Sequence, residues 1–162
     1  MKKITKIFLG LGLFLATTTQ AQCLDAIEGQ YPAATSTATT CDGLTVTSIT
    51  GLGYASEYSL VNVTAGETYT FRSSIATDFI TISSDDGASA ATSGVTPLVW
   101  VADIDGPVRF YTHTDASCGA SQAFRTRSYV CGVPPCIEST VAFETERDCD
   151  NSTFNVTADI SS

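Results

Sequence analysis

The chain has 162 residues, with 17 acidic against 8 basic, one histidine, six cysteines and a formal net charge of −9. So few cations in so acidic a chain exclude nucleic-acid binding by phosphate neutralisation, and an anionic membrane surface would repel it. An even cysteine count favours a disulfide framework over zinc, because no close Cys-x-x-Cys pair is present.

Residues 1–21 read as a secretory signal peptide. Lys2, Lys3 and Lys6 form a positive start, Ile7 to Ala16 is an apolar signal helix too short to span a bilayer comfortably, and Thr19-Gln20-Ala21 supplies small residues at the cleavage positions. Gln22 stands before Cys23 where lipidation requires a small residue. Cleavage after Ala21 removes every lysine. It leaves Arg72, Arg109, Arg125, Arg127 and Arg147 against all 17 acids, a net charge of −12 that argues for solubility outside the cell and predicts no membrane span in the mature chain.

From Cys23 to Thr50 the chain is polar and weakly patterned, closing a threonine-rich loop at Cys41. Leu44 to Ile49 is the first expected strand, broken by Gly51 and Gly53. Tyr58 to Val63, Thr68 to Ser73, Asp78 to Ser83, the PLVWVA segment from Pro97, Val108 to Thr112 and Phe124 to Val130 follow. Each alternates with a period of two or is short and β-branched, and turn-formers such as Ala65-Gly66, Asp85-Asp86-Gly87 and Asp105-Gly106-Pro107 separate them. Residues 88–94, ASAATSG, read as a loose connection or a weak edge strand. The pattern predicts an all-β fold: an antiparallel β-sandwich, jelly-roll or Ig-like, over residues 22–132. Residues 133–135, Val-Pro-Pro, read as a linker. Residues 136–162 alternate again (Phe154, Val156, Ala158, Ile160) and read as the first hairpin of a second β-domain, too short to bury a core alone.

Six cysteines allow 15 pairings. Local loop closure favours Cys23–Cys41, Cys118–Cys131 and Cys136–Cys149, since these pairs do not cross the proline linker.

No residue set amounts to a catalytic site. His113, the only histidine, has Asp115 nearby but no nucleophile elbow, and reads as a loop-supporting residue. Asp85, Asp86, Asp103 and Asp105 are candidate calcium ligands, although turn chemistry explains them without metal. No cofactor is otherwise expected. Tyr54, Tyr58, Trp100, Tyr111 and Tyr129 are candidates for a sugar-stacking platform, with Trp100 better placed in the core. Tyr111 and Tyr129 share strands with Arg109, Arg125 and Arg127, and these five residues are the candidate ligand surface, expected to be exposed. Three Asn-x-Thr/Ser triplets, at Asn62, Asn151 and Asn155, read as ordinary strand residues.

The segments EYSLVNVTAGETYTF, DFITISSDDG and TPLVWVADIDGPVRFYTHTDASCG resemble a module of secreted, multi-domain bacterial proteins that use type IX secretion. The resemblance covers roughly Cys23 to Gly132. A more distant similarity is to the bacterial pre-peptidase C-terminal β-sandwich. The resemblance implies export and β architecture, with fibronectin-type-III-like repeats, adhesive regions or a hydrolase alongside, and it brings no catalytic residues. The resulting expectation is a non-catalytic binding, adhesion or spacer module of a larger secreted or cell-surface protein, meeting an extracellular polysaccharide or protein surface. The alternatives are an accessory domain of a hydrolase whose catalytic domain lies beyond Ser162, and a carbohydrate-binding module.

Overall fold

In the computed structural model the described residues are 23–135, together with the backbone of 145–148 and 153–156. The strands are β1 (Gly29–Gln30), β2 (Ser36–Thr37), β3 (Val46–Ala55), β4 (Glu57–Val63), β5 (Thr68–Ser73), β6 (Phe79–Ser83), β7 (Thr92–Val95), β8 (Leu98–Val101), β9 (Gly106–His113), β10 (Ser121–Cys131), β11 (Thr145–Asp148) and β12 (Thr153–Val156). One sheet runs β1-β4-β9-β6-β7, with β2 also paired to β4, a second runs β3-β10-β5-β8, and β11 and β12 pair antiparallel as a separate two-stranded sheet. The architecture is all-β and sandwich-like. Its main pairings are antiparallel, and only the two-residue strands β1 and β2 pair parallel, on β4. No helix among the described residues is long and apolar enough to cross a membrane.

The period-two pattern sorts the two faces. Tyr69 and Phe71 of β5, Val61 and Val63 of β4, Ile80 and Ile82 of β6, and Val108 and Phe110 of β9 meet Tyr129 in the shared core. Phe71 lies 5.0 Å from Phe110 and 6.0 Å from Tyr129, centroid to centroid, at tilted angles favourable to aromatic pairs. Trp100 is partly buried against this cluster, as its apolar strand implies.

Two expectations are corrected and one open reading is decided. First, Gly51 and Gly53 do not end a strand, because β3 continues through both to Ala55. Gly53 is there for close approach: a Cβ on it would lie 2.7 Å from Arg127 Nε. Second, residues 92–95 form the edge strand β7, the ordered one of the two readings of that segment. Third, the disulfides are long-range. Cys23 bonds Cys118 and Cys41 bonds Cys131, spanning 95 and 90 residues. Pairing within local loops fails because Cys131 ends β10 beside Cys41, where Gly43 N–H donates to the Cys131 carbonyl. Cys23 meanwhile begins a strap that runs alongside β4 and parallel to it. The expected Cys136–Cys149 pair lies outside the described residues.

Candidate functional site

The five residues of the expected ligand surface do not form one. Arg125, Arg127 and Tyr129 share one face of β10, and that face points into the sandwich, where the exposures are 1%, 0% and 0%. Tyr111 and Arg109 are on the outer face of their sheet. Tyr111 is nevertheless buried, because the 84–91 turn folds over it, bringing Gly87 close to the Tyr111 hydroxyl and the Arg109 guanidinium. Arg109 is held on three sides: its guanidinium carbon sits 4.6 Å above the Tyr58 ring, Nη1 donates to Tyr111 Oη at 3.3 Å, and Nη2 pairs with Asp86.

The buried arginines belong to a polar layer at one end of the sandwich. Arg127 Nη2 donates to Glu57 Oε2 at 2.7 Å and to the Tyr31 carbonyl at 2.9 Å. Glu57 Oε2 also accepts from Tyr54 N–H at 2.8 Å. Burial brings the Arg127 pKa down to about 10, against the Glu57 carboxylate that supports the charge, so the guanidinium stays ionised at neutral pH. Arg125 Nε lies 3.4 Å from Asp78 Oδ2, near enough to pair but outside hydrogen-bond geometry. Burial pushes the Asp78 carboxyl up, opposed by the Ser73 hydroxyl that donates to it and by Arg125. Each guanidinium leaves Nε and Nη1 without a hydrogen-bond acceptor. This layer is buried inside the sandwich, out of reach of a ligand from outside.

His113 is fully buried at the end of β9. Its Nε2 donates to the Asp25 carbonyl at 2.9 Å, and the Asp25 carboxylate is 3.8 Å away. Desolvation lowers its pKa, with Arg125 in the same direction and Asp25 and Asp115 opposing. The folded value therefore lies below the unfolded value of 6.5, and the unfolded chain takes the proton first as pH falls. Stability present above pH 6.5 is lost as pH drops through the folded pKa. Asp42 and Asp85, held at about 2, titrate well below that window. The wild-type melting temperature is expected to fall from pH 6.5 downward, and His113→Gln to flatten that limb. Parallel melting curves for the two proteins would overturn this assignment.

The acidic turns use their carboxylates internally. Asp85 accepts from the Ser83 and Ser89 hydroxyls and from Ser89 N–H, which holds its pKa at about 2. Asp86 pairs with Arg109, and Asp105 Oδ1 accepts from Ala65 N–H. With Asp103, these residues do not converge on one point. The only three-residue ligand group among the described residues is Cys41, Glu67 and Cys131, and its two sulfurs are bonded to each other.

Sequence reasoning missed Phe124. It stacks on Tyr54 at 5.3 Å and 18° and is 60% exposed. Tyr58 pairs instead with Tyr111, and Tyr129 with the core rings, so the five candidate aromatics divide among three places. A cue existed for the arginines: Arg125 and Arg127 share strand parity with Tyr129 and Cys131, the more apolar side of that strand.

No family model and no curated protein matches the chain. Among solved structures, the chain is similar to Aeromonas hydrophila PliG, a periplasmic lysozyme inhibitor of g-type lysozyme, at 14% identity and a TM-score of 0.35, over 60% of this chain and 95% of that one. A likeness that distant carries no argument about what this chain does.

Proposed function

We propose that residues 22–132 form a non-catalytic extracellular binding or spacer module of a larger secreted or surface-attached bacterial protein, of the kind exported by type IX secretion. The observation that carries this reading is the sequestration of the reactive groups. His113, Glu57 and Asp78 are each at most 5% exposed and tied to structural partners, and the four described cysteines are oxidised. A nucleophile needs a base in reach of substrate, and two glycosidic carboxylates need a shared open cleft. The disulfides suit an oxidising compartment outside the cytoplasm.

The test is to incubate the purified mature chain with ester, peptide and glycoside substrates, and in parallel with insoluble cell-surface polysaccharide. No turnover is expected. Turnover abolished by His113→Gln would overturn the reading. Retention on polysaccharide that drops several-fold in Phe124→Ala would place binding on the exposed Tyr54–Phe124 stack, and no retention would leave the spacer role.

A further inference from the structure

We propose that the Cys41–Cys131 bond is a charge-selective thiol-exchange site. Thiols enter at Cys41 Sγ, and the Glu67 carboxylate favours cationic thiols over anionic ones. Of the four described cysteines Cys41 alone is exposed; Cys118 is half-buried, and Cys23 and Cys131 are buried. Exchange proceeds by attack of a thiolate on one sulfur, in line with the bond that breaks. A bond joining a buried residue to an exposed one is approached in line from the exposed end. Attack therefore falls on Cys41 Sγ, and Cys131 Sγ departs.

Glu67 stands at this bond. A carboxylate oxygen of Glu67 and the two sulfurs all lie within 4.8 Å of one another. Backbone contacts set the arrangement together with the bond itself. Glu67 N–H donates to the Thr64 carbonyl, and the Glu67 carbonyl accepts from Ala102 N–H at 2.9 Å. Cys131 is registered against Tyr69, two residues after Glu67, and Gly132 N–H donates to the Thr68 carbonyl. The Cys41 segment crosses so closely that a Cβ on Gly132 would lie 2.5 Å from the Cys41 carbonyl oxygen.

Glu67 makes no ion pair with a described residue. Arg127, four residues back along β10 and so roughly 13 Å from Cys131, pairs inward with Glu57. Asp42, next to Cys41, adds a second carboxylate, its pKa held at about 2 by the Thr45 hydroxyl and by the Thr45 and Leu44 N–H groups. Thiolate attack spreads negative charge over three sulfurs beside these carboxylates. An ammonium carried on the thiol relieves the repulsion, and a carboxylate carried on it adds to it. Roughly 7 Å from Glu67, either charge changes the rate by about threefold, in opposite directions, even at the dielectric of water.

A dithiol carries the exchange to completion. One thiolate attacks Cys41 Sγ, the S–S bond breaks, and its electron pair leaves on Cys131 Sγ, which takes a proton from water. The second thiolate attacks the dithiol's own sulfur in the mixed disulfide. That closes a cyclic disulfide and releases Cys41 as a thiolate. The protein bond is reduced and the dithiol is oxidised.

The test treats the folded mature chain with cationic dithiobutylamine, neutral dithiothreitol or anionic dihydrolipoate, quenches with iodoacetamide, and follows each disulfide by peptide mapping. Cys41–Cys131 should open first, at rates proportional to dithiol concentration. Its cation-to-anion rate ratio is expected to be about fivefold higher in the wild type than in Glu67→Gln at about 10 mM salt, and nearly equal in the two at about 1 M. Intrinsic thiol reactivity and the Asp42 charge cancel in that comparison. Equal ratios at low salt would overturn the proposal, including the case in which Glu67→Gln speeds all three dithiols alike by loosening the fold. So would rates independent of dithiol concentration, which would mean that the bond is reached only after unfolding. Earlier loss of Cys23–Cys118 would also overturn it, placing thiol entry elsewhere. The readout is thiol exchange alone, so its outcome is separate from the turnover and polysaccharide assays.

Discussion

Removing the Cys41–Cys131 bond with a Cys41→Ala/Cys131→Ala variant is expected to lower stability by about 4–5 kcal/mol, since in the chain-entropy model closing a loop of some 90 residues restricts the unfolded chain by that much. Cys23→Ala/Cys118→Ala should behave alike, its loop being 95 residues. The two loops overlap, because Cys41 lies between Cys23 and Cys118, so removing both should cost less than the two losses added. Urea unfolding of the three variants measures this. Non-reducing peptide maps should show Cys23 linked to Cys118 and Cys41 to Cys131. Fragments linking Cys23 to Cys41 would refute the described connectivity.

Arg127→Met is expected to cost about 3–5 kcal/mol, because it strands the Glu57 carboxylate inside the sandwich with only the Tyr54 N–H for support. Glu57→Met strands the guanidinium in turn. The double variant Glu57→Met/Arg127→Met should recover most of the loss, since apolar groups of similar size replace a buried ion pair at little or no cost. Urea midpoints of the two singles and the double form the cycle that measures the coupling. A double variant as unstable as the worse single would mean that packing around Gly53, and not the pairing of charges, governs this layer.

The strands were legible because their signals are local. Thr68 to Ser73 alternates cleanly between aromatic and polar residues, and the structure gives β5 those bounds. The turn at Asp85-Asp86-Gly87 was legible for the same reason: Gly87 takes a φ of +90° that a glycine adopts without strain. What escaped depends on distant partners. Arg127 is tolerable inside only because Glu57, 70 residues earlier, arrives beside it. Arg125 has Asp78 in the same role. A charge on a strand is assigned to solvent until its counter-ion is known, so the interior arginines were read as a surface patch. Tyr111 was misplaced for a related reason, because alternation tells which sheet face a side chain occupies but not which turn later folds over that face. The disulfides erred alike: proximity in sequence says little where strands 90 residues apart are neighbours.

The crossed bonds also determine how the module answers a pull. Tension entering at Cys23 passes through sulfur to Cys118 and needs only the thirteen residues of chain to Cys131 to reach the exit toward Pro135. Even with every strand torn apart, that path stretches to about 45 Å, whereas the reduced chain between the same two ends would pay out to about 370 Å. Oxidised, the module is a short tether of nearly fixed length; reduced, it is a slack line.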